Sequence, residues 1–105
     1  MSVKAINKEE FDNLVRNGGV SVVDFWATWC SPCMMLAPVI EEVSEELSEG
    51  VNFYKVNVDE HAELAMEFKI MSIPTILVFK DGEVCGKLVG MRDKQEYIDL
   101  IEGIL

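Results

Sequence analysis

Positive charge is scarce in this chain. Nine Lys and Arg stand against nineteen Asp and Glu, giving a net charge of −10 over 105 residues. That is the reverse of the basic footprint that meets a phosphate backbone, so nucleic acid is not expected as a partner. Cysteine is scarce as well. Three is an odd number, and a framework of paired structural bridges cannot use them all. No apolar run is long enough to span a membrane, and the opening MSVKAINKEEF lacks the continuous apolar core of an export signal. No membrane partner is expected, and the cytoplasm is the expected location. There a CxxC pair is more often catalytic or metal-binding than structural. Repeats, low-complexity stretches and linkers are also missing, so one domain over residues 1–105 is expected. A half-hydrophobic composition suits it to a core of its own.

What is present alternates between helix and strand patterns. Asn7 with Glu10 three residues on reads as an N-cap and capping box, opening a helix that ends near Asn17-Gly18-Gly19. VSVVDFWA (20–27) is apolar on both faces apart from Asp24, the pattern of a central strand covered on two sides. Leu36, Val39, Ile40, Val43 and Leu47 then recur at helical spacing up to Gly50, and Pro38 inside that run predicts a kink. A second buried strand (51–58), a short helix (62–68), a hairpin turning at Asp81-Gly82 (75–90) and a closing helix (93–105) follow. The closing helix turns Tyr97, Leu100, Ile101 and Ile104 inward. The acidic runs EEVSEELSE and DEHAELAMEF are read as solvated helix faces. Together the elements predict a three-layer α/β/α domain with a central mixed β-sheet flanked by helices.

The stretch Trp29-Cys30-Ser31-Pro32-Cys33 directly follows the Phe25-Trp26-Ala27 strand end, and Ile73-Pro74-Thr75 lies some forty residues downstream. With Asp24, Lys55, Gly82 and Gly90, these residues resemble the thioredoxin family across essentially the whole chain. A lone CxxC is a weak signal, and the five-residue WCxPC block is a far stronger one. The resemblance implies the thioredoxin fold and a protein-disulfide reductase that works by dithiol-disulfide exchange, with Cys30 and Cys33 as its redox-active disulfide. Disulfide-containing proteins would be its substrates. No GxGxxG is present, and 105 residues leave no room for a flavin or nicotinamide domain. No cofactor is therefore expected, and electrons would come from a separate thioredoxin reductase to a monomeric carrier. A disulfide oxidant or isomerase, and a non-catalytic binding subunit, are the competing readings.

The chemistry fits the spacing. A thiolate, not a thiol, attacks a disulfide, and Cys30 lies where unpaired N–H groups and the positive end of a helix dipole favour its anion. Cys33, one turn later, can reach the same sulfur, and Pro32 suits a first turn because it has no N–H to lose. Cys30 is thus read as the exposed nucleophile and Cys33 as the more buried resolving thiol. Zinc is the rival reading, with His61 and Cys85 completing four ligands. Neither has a partner at zinc-knuckle spacing, so no metal is expected.

Asp24 in an apolar strand is either desolvated, which raises its pKa, or a strand-end carboxylate facing water. The resemblance places it beneath Cys33 as the manager of its proton, with Lys55 nearby. Alone, Lys55 reads as a snorkelling edge residue. The resemblance also makes the Ile73-Pro74 bond cis and gives the Ile73 backbone to an extended substrate. Trp29, Met71, Ile73, Pro74, Gly90 and Met91 would form an apolar docking rim, where adaptable methionines suit many partners. The chain departs from the common family pattern at Ser31, where Gly is usual, at Thr28, and at Met34 and Met35, where a basic residue is common. Cys85 is read as a small buried hydrophobe of the hairpin strand.

Overall fold

The computed structural model describes residues 2–105. Five strands form one sheet in the order β1-β3-β2-β4-β5. They are β1 (Val3–Ala5), β2 (Val20–Trp26), β3 (Val51–Asn57), β4 (Thr75–Lys80) and β5 (Glu83–Val89). β1, β3 and β2 run parallel, while β4 and β5 are antiparallel, so the sheet is mixed as expected. β2 lies at the centre, which explains why VSVVDFW is buried nearly throughout. β1 has no counterpart in the sequence reading, because three residues are too few to show an alternating pattern.

Four helices cover the sheet: α1 (Lys8–Leu14), α2 (Ser31–Glu46), α3 (Ala62–Glu67) and α4 (Lys94–Ile104). Alternate residues of β2 point to opposite faces. Val20 and Val22 pack with Leu36, Ile40 and Val43 of α2 and with Tyr97 and Ile101 of α4. Val23 and Phe25 pack with Phe11 of α1 and Leu64 of α3. The Asn7 capping box is complete, with the Glu10 N–H donating to Asn7 at 2.8 Å and the Asn7 N–H donating to Glu10 at 3.1 Å. α2 runs through Pro38 as one helix.

The hairpin turns at Asp81 and Gly82, both at positive φ. A Cβ at Gly82 would sit 2.7 Å from the Arg16 carbonyl oxygen, so glycine is required for space as well as for backbone. The expected burial of Cys85 is wrong. Val78 opposes Gly86 and Phe79 opposes Val84, which leaves Cys85 as the extra residue of a bulge. The bulge turns it outward and it is exposed. Gly86 then faces the ends of Leu100 and Ile104 on α4.

Candidate redox site

The site lies where β2 ends and α2 begins. Cys30 is the N-cap of α2, and its sulfur accepts a hydrogen bond from the Cys33 N–H at 3.2 Å. Helix N-termini carry N–H groups without intrahelical partners, so a sulfur in this position collects one of them and sits at the positive end of the dipole. Pro32 occupies the first turn, where its missing N–H costs nothing. Cys30 and Cys33 are joined as a disulfide, with Cα atoms 5.2 Å apart. Cys30 is not exposed as expected: it is buried at 4% exposure and Cys33 at 1%, because both sulfurs are taken up in one disulfide packed under apolar neighbours. Ala27, Val58, Ile73 and Trp26 pack around the pair, and the Cys30 sulfur lies 3.8 Å from the Ile73 carbonyl oxygen. Ser31 is exposed beside it, as are Pro32, Met34 and Met35.

On β2, the strand that leads into the site, Asp24 is buried at 4% exposure. It shares the face of β2 that carries Val20 and Val22, the face covered by α2. Burial pushes its carboxyl up to about 7, opposed only by the charge of Lys55. Its Oδ1 has no hydrogen-bond partner. Lys55 pairs with Asp24 in the β2–β3 register, so it stands on an interior strand and not on an edge as the sequence alone suggested. Its ammonium lies over the Trp26 ring, 5.2 Å from the centroid.

Of the residues expected to form the docking rim, Ile73 is packed against the cysteines, and the others differ in burial and contacts. The Ile73-Pro74 peptide bond is cis. Pro74 is buried, and Ile73 is partly buried against the cysteine pair. The Gly90 N–H donates to the Pro74 carbonyl at 2.8 Å, which ties the end of β5 to this loop. Tyr97 of α4 donates to the Gly90 carbonyl at 3.2 Å and accepts from the Arg92 N–H at 3.0 Å, holding Gly90, Met91 and Arg92 in place. Trp29 and Met71 are the most open, at 69% and 92%. His61 and Cys85 do not join the pair. Among the described residues no three His, Cys, Asp or Glu side chains stand close enough together to hold a metal ion.

Two contributors escaped the sequence reading. Asp59 accepts a hydrogen bond from the Trp29 indole at 2.8 Å, which holds the exposed ring beside the cysteine motif in one orientation. The two residues are thirty positions apart, and no local pattern links them. Trp26 appeared only as part of a strand end, whereas its ring carries the Lys55 contact.

A sulfur capping a helix and a second sulfur bonded to it, with a buried carboxyl on the strand that leads into them, are the parts of a dithiol-disulfide exchange site. Comparison with known proteins gives the same class. The thioredoxin family model matches residues 2–103. Thioredoxins of Staphylococcus saprophyticus and Staphylococcus haemolyticus are 44% and 41% identical over 102 residues, 97% of this chain and of each relative. Among solved structures, a mutant thioredoxin from Halobacterium salinarum superposes with a TM-score of 0.89 at 34% identity, covering 97% of this chain and 89% of that one. Malassezia sympodialis thioredoxin gives 0.88 at 37%, covering 96% and 90%.

The chain belongs to the thioredoxin family. It has the thioredoxin fold and is a dithiol-disulfide oxidoreductase of that type.

Proposed function

We propose that the chain reduces disulfides in other proteins, with Cys30 as nucleophile and Cys33 as resolving thiol. The Cys30 thiolate attacks a substrate disulfide and forms a mixed disulfide, and one substrate sulfur leaves as a thiolate. Cys33 then gives its proton to the Asp24 carboxylate and attacks the Cys30 sulfur. That step forms the intramolecular disulfide and releases the second substrate sulfur. The two electrons that reduce the substrate come from the dithiol. A separate thioredoxin reductase restores it, and the chain itself needs no bound cofactor. The single observation carrying this reading is the Cys33 N–H donating to Cys30 at the head of α2, which favours the anion on one sulfur of the pair.

Lys55 tunes Asp24 through its charge. Trp29, Met71, Ile73, Pro74, Gly90 and Met91 form the surface against which an extended substrate lies, and Ser31 and Pro32 complete the motif. The protein acts as one unit over residues 1–105, as a monomer, in the cytoplasm. No helix among the described residues is long and apolar enough to cross a membrane. Equilibration of the Cys30–Cys33 pair with a graded thiol buffer tests the direction of the reaction. A potential well below the roughly −200 mV of an oxidising compartment is expected, and one at or above that poise would make the protein an oxidant.

A further inference from the structure

The exchange reaction as described gives Trp26 no part. This residue ends β2 two positions after Asp24, so the two side chains leave the strand on the same face. Its indole Nε1 is buried without a hydrogen-bond partner, as is Oδ1 of Asp24. Lys55 stands beside Asp24 in the strand register and has a flexible four-carbon stem. Yet its ammonium is not ion-paired to the carboxyl. It rests over the Trp26 ring, 5.2 Å from the centroid. The negative face of an indole is the strongest aromatic attractor of a cation and takes up no hydrogen-bonding capacity of the carboxyl.

We propose that Trp26 is a positioning residue for the exchange reaction: its ring holds the Lys55 ammonium off the Asp24 carboxyl and so keeps that carboxyl unpaired. The proposal deepens the assignment of Asp24 as proton acceptor and rests on it for its functional meaning. Lys55 acts on Asp24 through space, as the one charge opposing the effect of burial. Drawn into direct contact, an ammonium would pull a carboxyl down by about one to three pH units, leaving it ionised and paired across neutral pH. A carboxylate already held by a lysine is a poor acceptor for a thiol proton. Trp26 thus sets how far Lys55 can tune Asp24.

The groups bearing on Asp24 come from each surrounding element. β3 supplies Lys55, and α4 supplies Tyr97, whose hydroxyl is pushed up chiefly by burial and to a lesser degree by the Asp24 charge. β4 supplies the apolar Ile76 opposite, and α2 covers this face of β2 with the apolar Leu36, Ile40 and Val43. Lys55 is the one cation of the set, so its placement decides the outcome.

The test is the titration of the Asp24 carboxyl, followed by carbon NMR in the oxidised protein, where the cysteines do not titrate. Trp26→Leu should lower the Asp24 midpoint by about one pH unit or more. The same change made on Lys55→Met should leave the midpoint where Lys55→Met alone puts it. Trp26→Phe keeps an aromatic face and should fall between parent and Trp26→Leu. It is also the deciding pair with Lys55→Met if the leucine variant does not fold. An unchanged or raised midpoint in Trp26→Leu, or an equal fall with and without Lys55, overturns the proposal, because a merely structural tryptophan would act independently of the lysine. The pH profile of disulfide turnover is scored separately. A moved titration with an unmoved profile upholds the placement of Lys55 and removes Asp24 from the proton path.

Discussion

Replacing Asp24 by Asn should stabilise the oxidised protein at pH 8 and do little at pH 4. The carboxyl is buried, its Oδ1 is unpartnered, and burial lifts its pKa from 3.8 to about 7. Between those values the unfolded chain has lost the proton and the native state still holds it. Native protein therefore binds more protons, and stability falls as pH rises through this window, levelling off above about pH 7, where both states are ionised. The window is roughly three pH units wide at about 1.4 kcal/mol each, which sets a ceiling of about 4 kcal/mol. The Asn amide carries no charge but remains a buried polar group, so a gain of about 2–4 kcal/mol at pH 8 is expected. Glu10 and Asp12, whose carboxyls are held low by their hydrogen bonds, titrate alike in parent and variant and cancel in the difference. Denaturant unfolding of both proteins at pH 4, 5, 6, 7, 8 and 9 measures the gap. A gap that opens from pH 4 to 7 and then stays level bears the reasoning out. One that is the same at every pH would refute it, because the gain would then owe nothing to the buried charge.

Cys85→Ser should leave stability within about 0.5 kcal/mol and disulfide turnover near that of the parent, since the thiol is exposed on a bulge; denaturation and a turnover assay check both. Gly82→Ala should cost about 2–3 kcal/mol by denaturation, because the methyl meets the Arg16 carbonyl at a backbone position with φ of +85°. Loss of the cap in Asn7→Ala should cost about 1 kcal/mol in the same assay. Asp59→Ala releases the Trp29 indole and should raise KM for protein disulfides more than it lowers kcat, with a change in Trp29 emission.

The parts of the fold governed by local chemistry were legible. The Asn7 cap, the Asp81-Gly82 turn and the two-sided apolar run of β2 each carry their cause within a few residues. So does the placement of Cys30 at a helix start, which needs only a strand end followed by Pro32. Cys85 was misplaced because a bulge is a property of two paired strands, and VCG reads alike with or without one. The positions of Lys55 over Trp26 and of Asp59 under the Trp29 indole depend on which strands become neighbours. Lys55 was placed near Asp24 only through the family resemblance, and its choice of the ring over the carboxyl lies beyond any sequence pattern. The cis bond before Pro74 also came from the resemblance, since X–Pro bonds in general are mostly trans.

The most direct test of the central claim, that the helix-capping sulfur attacks and its neighbour resolves, is to trap the mixed disulfide. Cys33→Ser and Cys30→Ser proteins, each reduced and then incubated with a disulfide-containing substrate protein, are compared on a non-reducing gel. Cys33→Ser keeps the capping thiol and lacks the resolver, so a covalent adduct through Cys30 should accumulate and disappear on adding reductant. Cys30→Ser should trap little. Equal trapping by the two variants, or more by Cys30→Ser, would contradict the assignment and with it the role given to the hydrogen bond from the Cys33 N–H to the Cys30 sulfur.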